Sequence, residues 1–163
     1  MIHQPPCQIC ETCGRRDGSH DSDCPHKPHD GPRKRVWRKA ISIPSMVERI
    51  LNGTKVTTIR PVPEGRRPAV GDQIQFFRWT GRPYRSKQET IGGPMEITRV
   101  GEVTIDLGCI HSNGARFYGD DMLASVAKND GFDSWAEMQA WFDGAHGLPF
   151  TGLLIGWEAP KKD

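Results

Sequence analysis

The chain has 163 residues, enough for one ordinary domain or a small domain with an appendage and too few for two full-sized cores. Its residues are 36% apolar and 26% charged, with no apolar stretch of bilayer-spanning length, so a membrane-spanning helix is excluded and a soluble, partly globular protein is expected. The formal charge of +2 is a cancellation: residues 1–39 hold eight basic against five acidic side chains, 40–99 ten against five, and 100–163 four against ten. A basic first two-thirds suggests a face that attracts phosphate, unless folding intermixes the two signs. The 18 glycines and 13 prolines favour turns and short strands over a helical bundle.

Residues 1–30 read as a small metal-bound module. Four of five cysteines (Cys7, Cys10, Cys13, Cys24) and four of six histidines (His3, His20, His26, His29) fall within the first 29 residues. The segment has almost no large apolar side chains, so burial cannot offset its ordering entropy and a cross-link is needed. Met1 to Pro6 is polar, with no apolar core of an export signal, so a cytoplasmic location is expected and zinc is favoured over disulfides. The order Cys10-x2-Cys13-x6-His20-x3-Cys24 resembles a CCHC zinc knuckle, with Gly14 after the second cysteine and Gly18 close to the histidine. Those four are the expected ligands of a structural Zn2+, filling all four positions, with Cys7, His26 and His29 as substitutes.

Residues 31–39 read as a basic linker whose Arg33 and Arg35 could track a nucleic-acid backbone, while Trp37 is expected to enter a strand and pack in the core. Ala40 to Ile43 alternates as a strand should, closed by Pro44. Ser45-Met46-Val47-Glu48 has the form of a capping box, and Met46, Val47, Ile50 and Leu51 share one helical side before Gly53. Thr54 to Arg60 predicts a strand ending at Pro61, and Gln73 to Trp79 another after a turn-rich loop. Residues 80–93 are expected to form a loop, and Met95 to Ile105 one or two strands with a break at Gly101.

Cys109 is read as a small core residue, His111 as a loop residue and His146 as a turn residue. Helices are predicted over Asp120 to Lys128 and Ser134 to Phe142, the second opened by the capping box Ser134-Trp135-Ala136-Glu137 and stopped at Gly144. The continuously apolar Leu153-Leu154-Ile155 predicts a central closing strand over 151–157, leaving 159–163 as a tail. Five or more short strands with two or three short helices predict an α+β domain built as a small, partly closed β-barrel.

Ile50 to Arg60, Val70 to Phe76, Gly131-Phe132 with Trp135, Met138, Trp141 and Phe142, and Gly152 to Glu158 follow one another in an order that resembles an ASCH domain over residues 40–158. The resemblance implies a PUA-like barrel with a cleft beside the first helix, in a superfamily associated with RNA and modified nucleosides. It also resembles amidohydrolases that deacetylate N4-acetylcytidine, whose catalytic lysine, threonine and glutamate match Lys55, Thr58 and Glu96. Such an amide hydrolysis needs a nucleophile, a base and an acid or cation, roles that Thr58, Lys55 and Glu96 would fill.

The binding alternative rests on Phe76, Phe77, Arg78, Trp79, Arg82, Tyr84, Arg85 and Lys87, where aromatic and cationic residues interleave as in surfaces that stack bases and neutralise phosphates. Strand alternation sends some of those rings inward. Knuckle, linker and this loop together make three candidate contacts, with Arg60 as a further binding residue, so the expected partner is single-stranded RNA or another single-stranded nucleic acid, or a modified nucleoside. A protein-interaction adaptor built on the zinc module is the third reading.

Overall fold

The computed structural model describes residues 34–159. The expected zinc ligands Cys10, Cys13, His20 and Cys24, together with Arg33, lie outside the described residues. The elements in chain order are β1 (Val36–Ala40), α1 (Pro44–Leu51), β2 (Thr57–Pro61), β3 (Gln73–Trp79), β4 (Gln88–Asp106), β5 (Cys109–Ser112), β6 (Ala115–Phe117), α2 (Asp120–Asn129), α3 (Trp135–His146) and β7 (Phe150–Trp157). No helix among them is long and apolar enough to cross a membrane.

The architecture is mixed α+β: three helices and a seven-stranded sheet that does not close into a barrel. β4 organises it. Its first part pairs antiparallel with β3, residues 97–105 pair with β7, and residues 103–106 also pair with β5, which carries β6. β7 lies between β4 and β2, the central position its apolar run predicts, and β1 runs parallel to β3. β1 and β2 are left as edges where a barrel would have closed. The Arg60 guanidinium of β2 spans that gap, donating to the Ala40 carbonyl at 3.0 Å.

Several local expectations are corrected. The first strand begins at Val36, inside the segment read as a linker, because β3 offers it a parallel edge, and the ladder continues to Ile41, whose amide donates to Phe77. Pro44 opens α1 instead of merely closing a strand, since its fixed φ suits the first helical position. Ser45 is thereby inside the helix and makes no cap, and Ile43 takes the N-cap position.

Gly101 does not interrupt β4. Its irregularities fall between Ile97 and Arg99, where the register against β7 shifts, and between Ile91 and Met95, where Gly92-Gly93-Pro94 stands opposite the single residue Gln75. The Gln75 side-chain amide donates to the carbonyls of Ile91 and Gly92 at this bulge. At α3 the Ser134 cap forms as predicted, its hydroxyl accepting from the Glu137 amide, but the helix passes Gly144 and stops at Gly147, which has φ +77°. His146 therefore belongs to the last turn of α3, stacked on Phe150 at 4.5 Å, and His111 lies in β5.

The core joins α1 (Met46, Ile50), α3 (Met138, Phe142) and the inward residues of the strands, among them Ile74, Phe76, Ile97, Ile105 and Ile155. Phe76 packs 5.0 Å from Trp157, tying β3 to β7 through the core. Trp37 is half-buried, with its indole N–H donating to Asp72 at 2.8 Å.

Candidate functional site

Three places collect the side chains that could carry chemistry. The first is a small cleft between the start of β2, α1 and the turn that follows α2, lined by the buried Lys55, Thr58, Asp130 and Phe132 and by Arg60 and the exposed Trp141 among others. Lys55 precedes β2, its amide tied to the Arg49 carbonyl, so its side chain leaves from the loop end and not from the strand ladder. Its Nζ donates to Thr57 O at 2.8 Å, to Asp130 Oδ1 at 2.8 Å and to Asp130 O, which satisfies all three ammonium protons. Both side chains of the pair are only 4% exposed.

Burial pushes the Lys55 ammonium below its usual range and the Asp130 carboxyl above its own, and their mutual attraction opposes both shifts. The nearby Arg60 guanidinium and the Ile59 amide further favour the carboxylate. Arg49 of α1 holds the turn in place, with Nη1 donating to Gly131 O and Nη2 to Asp133 Oδ1, each at 2.8 Å. Gly131, at φ +90°, lies so close that an added Cβ would collide with Met46 Sδ and come within 3.0 Å of Lys55 Cδ.

Thr58 is buried in the same pocket, where its hydroxyl accepts from Arg60 Nε at 3.2 Å. Glu96 is not brought there. It is 53% exposed on β4 and ion-paired with Lys34 at 2.6 Å, so the carboxylate beside Lys55 is Asp130, which the sequence reading did not single out. The signal for it is faint, an aspartate before glycine at a helix end. The pocket holds about 50 Å³, far below the roughly 300 Å³ at which small-molecule sites begin.

The second place is the outer end of β3 with the loop that follows. Phe76 points into the core, whereas Phe77 and Trp79 are half-buried, their rings 5.7 Å apart and edge-on. Tyr84 continues the series 5.3 Å from Trp79 and is 90% exposed. Its backbone sits at φ +62°, a region costly for a tyrosine, and the loop around it is fixed by Ser86 and Thr80: the Ser86 hydroxyl donates to Arg82 O and accepts from the Gly81 amide, and Thr80 donates to Lys87 O.

Arg38 of β1 lies over the Phe77 ring at 5.0 Å. Arg82, Arg85 and Lys87 are exposed, and no carboxylate pairs with them among the described residues. Arg78 differs, since Glu89 engages it at 2.7 Å. Beside these rings runs a groove of about 480 Å³ lined by Ile41, Ser42, Val47, Trp79 and Pro83 among others. Arg35 is exposed at the other end of β1, its amide bonded to Asp72.

Asp106, Cys109 and His111 form the one group among the described residues able to hold a metal ion. Comparison with protein-family models, with curated proteins and with solved structures finds no match for this chain.

Proposed function

We propose that residues 34–159 form an ASCH-type, PUA-like domain that binds single-stranded RNA across the outer end of β3 and its following loop. The observation that carries this reading is Tyr84, almost fully exposed, held at a strained backbone angle and packed at a tilt 5.3 Å from the half-buried Trp79. Strain of this kind is retained where the surroundings enforce it, and an exposed ring such as that of Tyr84 offers a face on which a base can stack. Arg38, Arg82, Arg85 and Lys87 supply the charge that displaces counterions from the phosphates. The groove beside Trp79 falls in the size range of small-ligand sites and would receive an unstacked or modified base. In the same reading Cys10, Cys13, His20 and Cys24 hold a structural zinc in the N-terminal segment. Titration of a fluorescent single-stranded RNA with wild type and Tyr84→Ala tests it: the variant binds at least about five-fold more weakly, and equal affinity would count against the proposed surface.

A second reading, deacylation of an N4-acetylcytidine-type nucleoside, is favoured by one observation: the buried Lys55 and Thr58 line a single small cleft. Lys55 would first pass one proton to Asp130, which stands in place of Glu96; the Thr58 hydroxyl then attacks the acyl carbon with its proton going to the Lys55 amine, the C–N bond breaks as that proton is delivered to the departing N4 amine, and water hydrolyses the acyl-Thr58 ester to release acetate. The pocket must open to admit a nucleoside, given its 50 Å³. Acetate release from N4-acetylcytidine by wild type, abolished in Lys55→Ala, would establish this activity, and no release by wild type would remove it.

A further inference from the structure

We propose that Asp106, Cys109 and His111 form a transition-metal site of the zinc class at the turn of the β4–β5 hairpin, separate from the cysteine-rich N-terminal segment. The hairpin places the three side chains together. Asp106 and Cys109 face each other across a two-residue turn, Leu107-Gly108, in which Gly108 takes φ +67°. His111 follows Cys109 by two positions, so the strand period puts its ring on the same face as the thiol.

The distances suit a metal. A zinc ion with Zn–S of about 2.3 Å and Zn–N of about 2.0–2.1 Å at a tetrahedral angle requires the two ligand atoms to lie about 3.5–3.6 Å apart. Cys109 Sγ lies 3.5 Å from His111 Nε2. The three ligand atoms fall within 4.8 Å of one another, and since Asp106 Oδ1 accepts from the Leu107 amide at 2.7 Å, the carboxylate keeps a second oxygen to complete the set after a side-chain adjustment.

The turn is also held from outside. The Gly108 amide donates at 3.0 Å to Gln139 Oε1 of α3, and the Trp135 indole donates to the same oxygen at 3.1 Å, so the ligands start from an anchored backbone. Chemistry selects the ion. A thiolate and an imidazole with one carboxylate favour zinc, or cobalt as its substitute, over magnesium or calcium, which take oxygen ligands. Cys109 is 1% exposed, whereas Asp106 and His111 are half-buried, so the thiol forms the floor of the site and a solvent molecule completes four-coordination from the open side.

The test uses the full chain, stripped with a chelator, reloaded with zinc and freed of unbound metal by gel filtration. Metal bound by the N-terminal segment contributes equally to wild type and to a hairpin variant, so the difference between them reports this site. His111→Ala is the first variant because its ring is not part of the core. Wild type is expected to retain about one equivalent more than His111→Ala, and cobalt-loaded wild type to show stronger thiolate-to-metal absorption than Cys109→Ser. Equal retention by wild type and a folded His111→Ala, or no metal retained by wild type, overturns the site and leaves a plain Cys109–His111 hydrogen bond. Should His111→Ala fail to fold by circular dichroism, Asp106→Asn supplies the same comparison with the same two outcomes.

Discussion

Lys55 Nζ lies 2.8 Å from Asp130 Oδ1, joining the loop before β2 to the end of α2 inside the protein, where neither side chain is more than 4% exposed. The ammonium has three protein acceptors and the carboxylate is flanked by Arg60, so each charge stays buried only because the other is present.

Removing one partner should therefore cost more than removing both. Asp130→Ala is expected to lose about 3–5 kcal/mol in urea unfolding by stranding the Lys55 charge, while Lys55→Met combined with Asp130→Leu loses less than either single change. A loss below about 1 kcal/mol for Asp130→Ala would mean that the pair is not formed in solution.

Gly131→Ala meets two obstacles, a φ of +90° and contact with Met46 and Lys55. It should destabilise the domain by at least about 2 kcal/mol. Gly144→Ala, in an exposed position of α3 with open space around it, should leave stability unchanged or raise it. Thermal melts of the two variants check this contrast.

Asp72 accepts from the Trp37 indole, the Arg35 amide and the Ala69 amide, and the Trp37 bond holds its carboxyl below the usual range. A depressed native pKa means that its contribution is present above the ordinary aspartate value and is lost as pH falls through the native one. Wild type should exceed Asp72→Asn near neutrality by no more than about 0.5 kcal/mol, because solvent screens this carboxylate, and that gap should close as pH drops below about 4. A gap that persists unchanged to pH 2 would show that the charge is not involved.

Glu96 stands in solvent, paired with an equally exposed Lys34. Glu96→Gln should shift stability by less than about 0.5 kcal/mol and change RNA affinity by less than about two-fold. Loss of any deacylase activity in this variant would instead restore the catalytic role that the family resemblance assigns to it.

What the sequence disclosed depended on how local each signal was. The apolar run of β7 and the cap at Ser134 are encoded within a few residues, and both form as expected. Gly92-Gly93-Pro94 reads locally as a loop, yet the chain keeps pairing through it because the Gln75 amide, seventeen positions before Gly92, donates to the Ile91 and Gly92 carbonyls. Asp130 was hidden for the same reason: an aspartate before glycine is an ordinary turn residue until Lys55, seventy-five positions away, points at it. Cys109 and His111 carry no local sign of a third neighbour, because Asp106 lies across a hairpin that no periodicity announces. Exposure of Tyr84 was likewise invisible, whereas the inward turn of Phe76 followed from strand alternation.

The most direct test of the proposed RNA surface is the salt dependence of single-stranded RNA binding by wild type and by Arg82→Ala/Arg85→Ala/Lys87→Ala. Each phosphate contact on a single strand contributes about 0.7 to the slope of log affinity against log salt, so the triple variant should bind more weakly with a slope shallower by about 2. Binding that is independent of salt, or a slope identical in the two proteins, would contradict the account.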